Sequence, residues 1–496
     1  MWPFKPKKQI PNDVKRALKA YPDVKKRLFD AAKSEHFWAN WLNTSQSIDN
    51  VIYEDHANLV AKSREQYANN DYVKRFVNLC QTNIVGESGV NVQSTYGSGN
   101  DTDYAIQEMI ESYYARFSEA VDPAGRLSRA DFESLAVQSC VVDGEAFILE
   151  REGKQYPFGV AYSFIDPILC PIQFNDDARR IRFGIRYKDD SLEIPDAYYF
   201  YKSRSPNVLN PVYRGGVNEQ DLMEIAASRI IHLFRTEWVG QRRGIPWIAT
   251  SLASLKNLDG FEEAAIIAAR VGASKMGFFY TESGNEYSGE SDTNGNVVMN
   301  AEPGSFEMLP EGVKIADWNP DYPNTLYGEF VSSALKRIAV GMGVSHHALA
   351  GDMSGVNYTS SRTALLDERD NWKRTQGWLI NGLCRKMFRK VTSVGVRTSR
   401  LDLPSRNIDD YLKASYQGRR WQWVDPYKDM AAAETAINLG VRSRADVMRE
   451  LGKNPETTWA EILKEREIME ELGLLVEPTT QGNVDDRENT DDPPQD

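Results

Sequence analysis

One apolar stripe constrains this chain more than any other feature. From about Ser360, the residues Leu365, Trp372, Gln376, Leu379, Leu383, Met387 and Val391 recur close to helical spacing for about 35 residues. At about 1.5 Å per residue that is a rod of roughly 50 Å, unusually long for a globular domain. Ahead of it, TLYGEFVSSALKRIAVG reads as another helix, with Phe330, Ala334 and Ile338 on one face and Lys336 and Arg337 off that stripe. The two are joined by GMGVSHHALAGDMSGVNY, a link of small and polar residues that carries two adjacent histidines and no Lys or Arg. Gly351 and Gly355 permit backbone shapes closed to other residues, and Met353 is flexible and apolar. Such a link is either a plain connector packed on the body or a mobile, mildly polar tip placed where one is needed.

Other segments surround this pair. A chain of 496 residues allows roughly two to four domains. DYVKRFVNLCQTNIVG places Tyr72, Phe76, Cys80 and Ile84 at steps of four, an amphipathic helix that Gly86 ends. A further helix is expected over Tyr104 to Phe117. Between Gly144 and Phe234 the runs GEAFILERE, GVAYSFIDPILCPIQF, RIRFGIRY, AYYFYKS and SRIIHLF are short, β-branched and aromatic, with polar turns between them. They read as sheet with hairpins. Pro246 suits the first turn of a helix carrying Ile248, Leu252 and Leu255 and running to about Arg270, near Gly272. FFYTESGNEYSGESDTNGNVVMN is then Gly/Ser/Asn-rich, and SFEMLPEGVKIADWNP reads as strand, turn, strand. The C-terminal region is helical and divides at LGVRS and LGKNPE, where Gly ends a helix and Ser443 and Asn454 are candidate caps. The first thirty residues read as a Lys-rich arm, and the segment after Glu477 as a disordered acidic tail.

Composition removes several function classes. No run approaches the ~18 apolar residues of a membrane span, and the basic start MWPFKPKKQIP has no apolar core behind it, so it is no signal peptide. Cys80, Cys140, Cys170 and Cys384 show no paired spacing, which points to reduced core thiols and away from zinc or disulfides. The last twenty residues hold seven acids and one Arg, so they carry −6 of the net charge of −12. The remaining body is mildly acidic. That opposes tight, sequence-independent nucleic-acid binding but not loose contact with a sliding duplex.

Catalytic signatures are missing or fail on context. The chain has no GxxxxGK[S/T] and no HExxH. GESGV at Gly86 has Val90 where a nucleophile elbow needs its second Gly, and GMGVSH follows a helix, not a strand. Of five histidines, His36 and His56 lack ligand partners at diagnostic spacing, and His232 in IIHLF reads as a core residue in preference to a catalytic one. His346 and His347 read as helix-end or packing residues, with metal or phosphate contact as the alternative. Asp367, Glu368 and Asp370 interleave with Arg369, Lys373 and Arg374, the pattern of intrahelical ion pairs, against which stands a metal-dependent nuclease. GQRRGIP is a turn before a helix, or else Arg242 or Arg243 pairs with a neighbouring subunit's carboxylate or with a phosphate.

The order of segments, carried by LVAKSREQYANNDYVKRFVNLCQTNIVG, DGEAFILERE, RIIHLFRTEWVGQRRGIPW and above all FVSSALKRIAVGMGVSHHALAGDMSGVNYTSSRTALLDERDNW, resembles the lambda-like family of phage portal proteins over roughly residues 40–470. The resemblance implies an α+β ring subunit. Residues 1–35 would be an N-terminal arm, 36–245 a wing of helices and mixed β-sheet, and 246–272 and 324–343 the two stem helices. Residues 273–323 would form a small β-rich clip, 344–358 a tunnel loop, 359–425 the wing and spine helix, 426–476 a helical crown and 477–496 the acidic tail. It further implies a homo-oligomeric ring, usually of twelve subunits, at one capsid vertex, through which double-stranded DNA is packaged and ejected. Its partners would be the terminase large subunit, which supplies the ATPase, the major capsid protein and the head-completion or adaptor proteins, with no membrane, cofactor, metal or catalytic residue. The virion, assembled in the host cytoplasm, would be its location. His347, Asp352, Met353, Ser354, Val356 and Asn357 would lie nearest the duplex, and Lys336 and Arg337 would face the channel. The alternative for that pair is an intersubunit ion pair with Glu329 or a neighbour's carboxylate. Another virion connector or scaffold and a DNA-processing enzyme are the competing readings of the whole chain.

Overall fold

The computed structural model describes residues 46–97, 104–202, 217–273, 278–281, 313–316, 327–354, 358–421, 426–453 and 455–473. The N-terminal arm, the acidic tail, the Gly/Ser-rich part of the 273–323 insert, the strand expected at SFEMLP, the cap at Asn454, and Val356 and Asn357 lie outside the described residues.

Helices α1 (Ile48–Asn69), α2 (Asp71–Cys80), α3 (Tyr104–Phe117) and α4 (Arg129–Val142) open the described chain. Helix α2 continues as a π turn, Gln81–Val85, and stops at Gly86, whose φ of 78° a side chain disfavours. Phe76, Cys80 and Ile84 are buried as the spacing predicts, whereas Tyr72 stays at the surface's edge. The α4 start is a capping box: Ser128 accepts from Asp131 N, and the Asp131 carboxylate accepts from Ser128 N.

The next region forms two sheets. Strands β2 (Glu145–Glu152), β3 (Val160–Ile165) and β8 (Ile230–Phe234) lie in the order β3-β2-β8. Strands β4 (Ile181–Arg182), β5 (Ile185–Tyr187), β6 (Pro195–Tyr201) and β7 (Leu222–Ala226) follow one another in the second. Among the described residues each ladder is antiparallel, so the sheets described are not the mixed sheet expected. The connections explain this: β2–β3 and β5–β6 close as hairpins, whereas a parallel pair needs a crossover of about a dozen residues or more. Alternation along β2 decides the layering. Ala146 and Ile148 enter the main core with α2, α3 and α4, while Phe147 and Leu149 pack with Tyr198, Phe200 and Ile225 of the second sheet. The central sheet is therefore buried on both faces, helices on one side and strands on the other.

The expected rod is present. Helix α8 (Tyr358–Leu379) passes through a π turn, Ile380–Cys384, into α9 (Arg385–Arg397). Trp372, Gln376, Leu379, Leu383, Met387 and Val391 are buried, but Leu365 is 40% exposed, so the buried stripe begins later than the sequence pattern. The π turn lies against β8: a Cβ on Gly382 would sit 2.4 Å from a Leu233 methyl, and the Trp378 indole donates to Phe234 O at 2.9 Å.

Pro246 does not open a helix. The α5 helix spans Leu252–Ala273, preceded by a 3-10 turn at Ala249–Ser251. Residues 243–247 are committed to a backbone crossing. A Cβ on Gly244 would lie 2.1 Å from Gly144 O, and Trp247 N donates to Val141 O at 3.1 Å. Beside this crossing sits a buried ionic joint. Arg243 Nε donates to Glu145 Oε1 (2.8 Å) and Nη2 to the same oxygen (2.5 Å), while Nη1 reaches Cys170 O (3.1 Å) and Phe183 O (2.8 Å). Gly244 N and His232 Nε2 both approach Glu145 Oε2, at 2.9 and 3.0 Å. Both arginines of GQRRGIP thus have carboxylates inside the chain, Arg243 that of Glu145 and Arg242 that of Asp49; full burial of Arg243 removes it from pairing with a neighbour or a phosphate. His232 is the expected core residue; burial lowers its proton affinity, so it is neutral at pH 7.

Two smaller ladders complete the sheet content. β1 (Asn91–Ser94) pairs with β11 (Ala414–Gln417) next to the short α10 (Ile408–Tyr411), and β9 (Phe278–Thr281) pairs with β10 (Val313–Ala316) in the insert. The C-terminal helices, α11 (Pro426–Asn438), α12 (Arg444–Glu450) and α13 (Pro455–Glu471), divide where expected. Gly440 and Gly452 take φ of 69° and 81°, and Ser443 caps α12. The four cysteines are free and buried.

Candidate nucleic-acid interface

The helix α6 (Tyr327–Met342) and the link that follows hold the residues singled out for DNA contact. Phe261 of α5 stacks on Tyr327 (5.8 Å) and packs on Phe330 (4.4 Å), joining the two helices. The buried face of α6 is Leu335, Ile338, Ala339 and Met342, so it is rotated from the Phe330–Ala334–Ile338 stripe; Phe330 is 53% exposed. The shift has a local cause. Gly341 lets α6 approach the turn before α5, where a Cβ would meet Ser251 Oγ at 2.6 Å, and that hydroxyl reaches Ile338 O at 3.5 Å. Lys336 and Arg337 lie on the exposed side, and neither is ion-paired among the described residues.

A Schellman turn ends α6. Gly343 (φ 71°) donates to Val340 O and Val344 N to Ala339 O, each at 3.1 Å. The link then departs from the expected loop. His347 belongs to a short helix, α7 (His346–Ala350), capped by Ser345 Oγ and closed by Gly351 at φ 69°. Helix formation was open to this stretch because HHALA lacks Gly and Pro and Ser345 precedes it as a natural cap. The irregular part is therefore shorter, beginning at Gly351.

Polar contacts pin both ends of α7. Glu368 of α8 accepts from Ser345 N (3.3 Å) and from the Trp372 indole (3.2 Å), and Asn371 donates to Gly343 O (3.2 Å). Arg75 of α2 donates to Ala348 O (3.1 Å). His347 Nδ1 lies 2.7 Å from Asp352 O, so it donates there and fixes the start of the irregular segment. Asp352 in turn accepts from Ser354 N at 2.8 Å, and the Ser354 hydroxyl and backbone hold its carboxyl below the usual range. Asp352, Met353 and Ser354 are all solvent-facing, with Met353 64% exposed.

His346 stands against His347 at 5.5 Å between ring centroids, and neither of its ring nitrogens has a hydrogen-bond partner among the described residues. Burial first, then His347 and Lys336, lower its proton affinity, so at pH 7 it adds no charge to the site. The charges presented are Lys336 and Arg337 on α6 and Asp352 beyond α7. Glu368 and Asn371 are the residues that sequence reasoning misses as supports. They fall on the same helical side as Trp372 and Thr375, so extending the buried stripe one turn toward the N-terminus would have found them. Asp370 pairs with Lys373 at 2.8 Å, as expected for a helix surface, and with Glu368 committed to the link the three acids of α8 form no shared site.

Residues 35–376 match the family described as phage portal protein, lambda family. The chain is 29% identical over 463 residues to a probable portal protein of Halomonas phage phiHAP-1, covering 90% of this chain and 88% of that protein. It is 19% identical over 478 residues to portal protein B of Escherichia phage lambda, covering 88% of each. Among solved structures, the neck of a native gene transfer agent particle computed with C12 symmetry gives a TM-score of 0.42 at 11% identity, over 81% of this chain and 94% of that one. The corresponding neck of an empty particle, with C6 symmetry, also gives 0.42, at 10% identity over the same shares. Scores this low carry nothing over to this chain.

Proposed function

Because the chain belongs to the lambda family of phage portal proteins, we propose that it assembles into a closed homo-oligomeric ring, of twelve subunits, at one capsid vertex, with double-stranded DNA passing through the central channel. The family is one of virion structural proteins, not enzymes. In this reading α5 and α6 form the stem and α8 with α9 the spine. The 273–323 insert docks the terminase large subunit and later the head-completion proteins, and the wing meets the major capsid protein.

The observation that supports the ring is the number of large apolar side chains that the stem pair leaves exposed. Ile266 and Ile267 are each 51% exposed, Phe330 53% and Val340 80%. Neighbouring subunits on either side of the pair would cover them, at a gain of about 1.5–3 kcal/mol for each large side chain fully buried. Native mass spectrometry and negative-stain imaging of the purified chain test this. A single closed stoichiometry with a central hole is expected, and monomers alone at micromolar concentration across a range of salt would reject it.

Within that ring, Gly351 to Asn357 would form the constriction, and Lys336 and Arg337 would meet phosphates. What supports this is the pairing of a rigid, pinned α7 with a solvent-facing tip that carries no cation. Contact with the duplex is then steric or water-mediated, which lets DNA slide where a basic ring would hold it. The second reading of Lys336 and Arg337, an ion pair to Glu329 of a neighbour, rests on all three being exposed on one helix.

A further inference from the structure

Helix α9 and the turn after it, residues 385–400, hold six cations and no acid. The helix buries Met387, Phe388, Val391 and Thr392, which fixes its outer face. Arg385, Lys386, Arg389 and Arg397 are exposed. Of the six, Lys390 alone is ion-paired among the described residues, and it takes two carboxylates of β2, Glu150 at 3.2 Å and Glu152 at 2.6 Å. Three of the others meet neutral groups. Arg385 stands over the Tyr416 ring of β11 at 5.5 Å, Arg397 Nε donates to Ser393 O at 3.4 Å, and Arg400 Nε donates to Pro157 O at 3.0 Å. Arg385 and Arg389 lie one turn apart on one face, so their charges repel until an anion sits between them. In a chain of net charge −12 this is a fixed cationic face with no carboxylate of the described residues bonded to its outer arginines.

We propose that the acidic segment Asp485 to Asp492 of the same chain docks on this face, against Arg385 and Arg389, and shields it from other polyanions. Charge selects the occupant. The segment DDRENTDD holds five acids against one Arg, within a stretch of twenty residues that carries −6. Each guanidinium presents a planar fork that matches carboxylate oxygens in pairs. The chain's path supplies the reach. Next to Tyr416, Gln417 donates to Arg449 O of α12, and Gly452 lies against Arg420, so α13 starts close to the strand that carries Tyr416. The 17 residues of α13 make a rod of about 26 Å. Extended, the residues from Leu474 to Asp492 span roughly 60 Å, more than twice that length, so the segment can return to α9 from the far end of α13. DDRENTDD brings no apolar side chain, so its contact is electrostatic and salt releases it. The proposal needs neither the ring nor the channel and stands apart from both.

The full-length chain carrying Thr490→Cys is labelled there with a fluorophore, the native cysteines being buried. Its anisotropy should fall about twofold as salt rises from about 0.05 to about 0.5 M and the screening length shortens. Two variants should show the high-salt value already at low salt: R385Q/R389Q, and the segment neutralised by D485N, D486N, E488Q, D491N and D492N together. Arg389 has no ring contact, so R389Q alone, which should lower the anisotropy in part, keeps the test valid should R385Q disturb the packing on Tyr416. Anisotropy that ignores salt, or that R389Q and R385Q/R389Q leave unchanged, overturns the proposal. Mixing the labelled chain with an excess of unlabelled R385Q/R389Q should leave the label held; its release would place the segment on another copy and overturn docking within one chain. A short DNA duplex is the rival polyanion. It should bind the neutralised-segment variant more tightly than the unaltered chain, and R385Q/R389Q should remove that gain. Duplex binding that is equal in those two forms yet weakened by R385Q/R389Q would make DNA the occupant and overturn the proposal.

Discussion

Replacing Arg243 by Met should be among the most damaging single changes in the wing. The side chain is of similar length and apolar, so the volume is kept while the charge is lost. Glu145, fully buried, would be deprived of its Arg243 donors at 2.8 and 2.5 Å and keep only Gly244 N and His232. Cys170 O and Phe183 O would lose their donor as well. Breaking one side of a buried ion pair costs about 3–5 kcal/mol. The effect carries a pH signature. Burial opposes ionisation of Glu145, but Arg243 and then His232 outweigh it and hold the carboxyl well below its ordinary value in the native protein. Its contribution is therefore full above about pH 4.3 and is lost as pH falls further. In R243M burial dominates, the folded value rises above the unfolded one, and the penalty is largest at neutral pH and shrinks on acidification. The gap between wild type and R243M should thus narrow between pH 7.5 and 5, read as urea midpoints or melting temperatures. The double variant E145Q/R243M should recover part of the loss. A destabilisation under about 1 kcal/mol, where a buried orphaned charge demands several, or a gap that does not change with pH, would refute the reasoning.

Three further outcomes are expected. Glu368→Ala removes the acceptor for Ser345 N and the Trp372 indole; it should cost about 1–3 kcal/mol and speed hydrogen exchange at residues 343–351, and unchanged exchange there would show that Glu368 does not hold α7. Substituting Lys336 and Arg337 together by Ala should flatten the salt dependence of DNA binding by the assembled protein, by about 0.9 in the log–log slope for each phosphate no longer neutralised; a pure assembly defect would favour the ion pair to a neighbour's Glu329. Met353→Cys should react readily with a thiol reagent in empty particles and be protected in DNA-filled ones, and an inert thiol in the empty state would remove the tip from the channel.

The link between α6 and α8 illustrates how far sequence reasoning reached in the candidate site. Its small, cation-free composition was legible, as were Lys336 and Arg337 on the exposed side of α6. Its helix, α7, was not. Five residues with one cap give a propensity signal too weak to stand alone, and α7 is held by Arg75, Glu368 and Asn371, which come from two other helices.

What the sequence determined by itself is whatever one element's own burial writes into its period. The rod from Tyr358 to Arg397, the α3 bounds, the stop at Gly86, the Ser443 cap and the core positions of His232 and the cysteines all follow from spacing or from a neighbour a few residues away. Tertiary structure decided the rest. It joined β1 to β11 (Asn91 opposite Gln417), crossed Gly144 with Gly244, gave Glu145 to Arg243 and delayed the start of α5 to Leu252. These pairings bring together groups far apart along the chain. A buried charge or a missing Cβ is satisfied by whichever segment the fold delivers, and nothing local to either partner names the other.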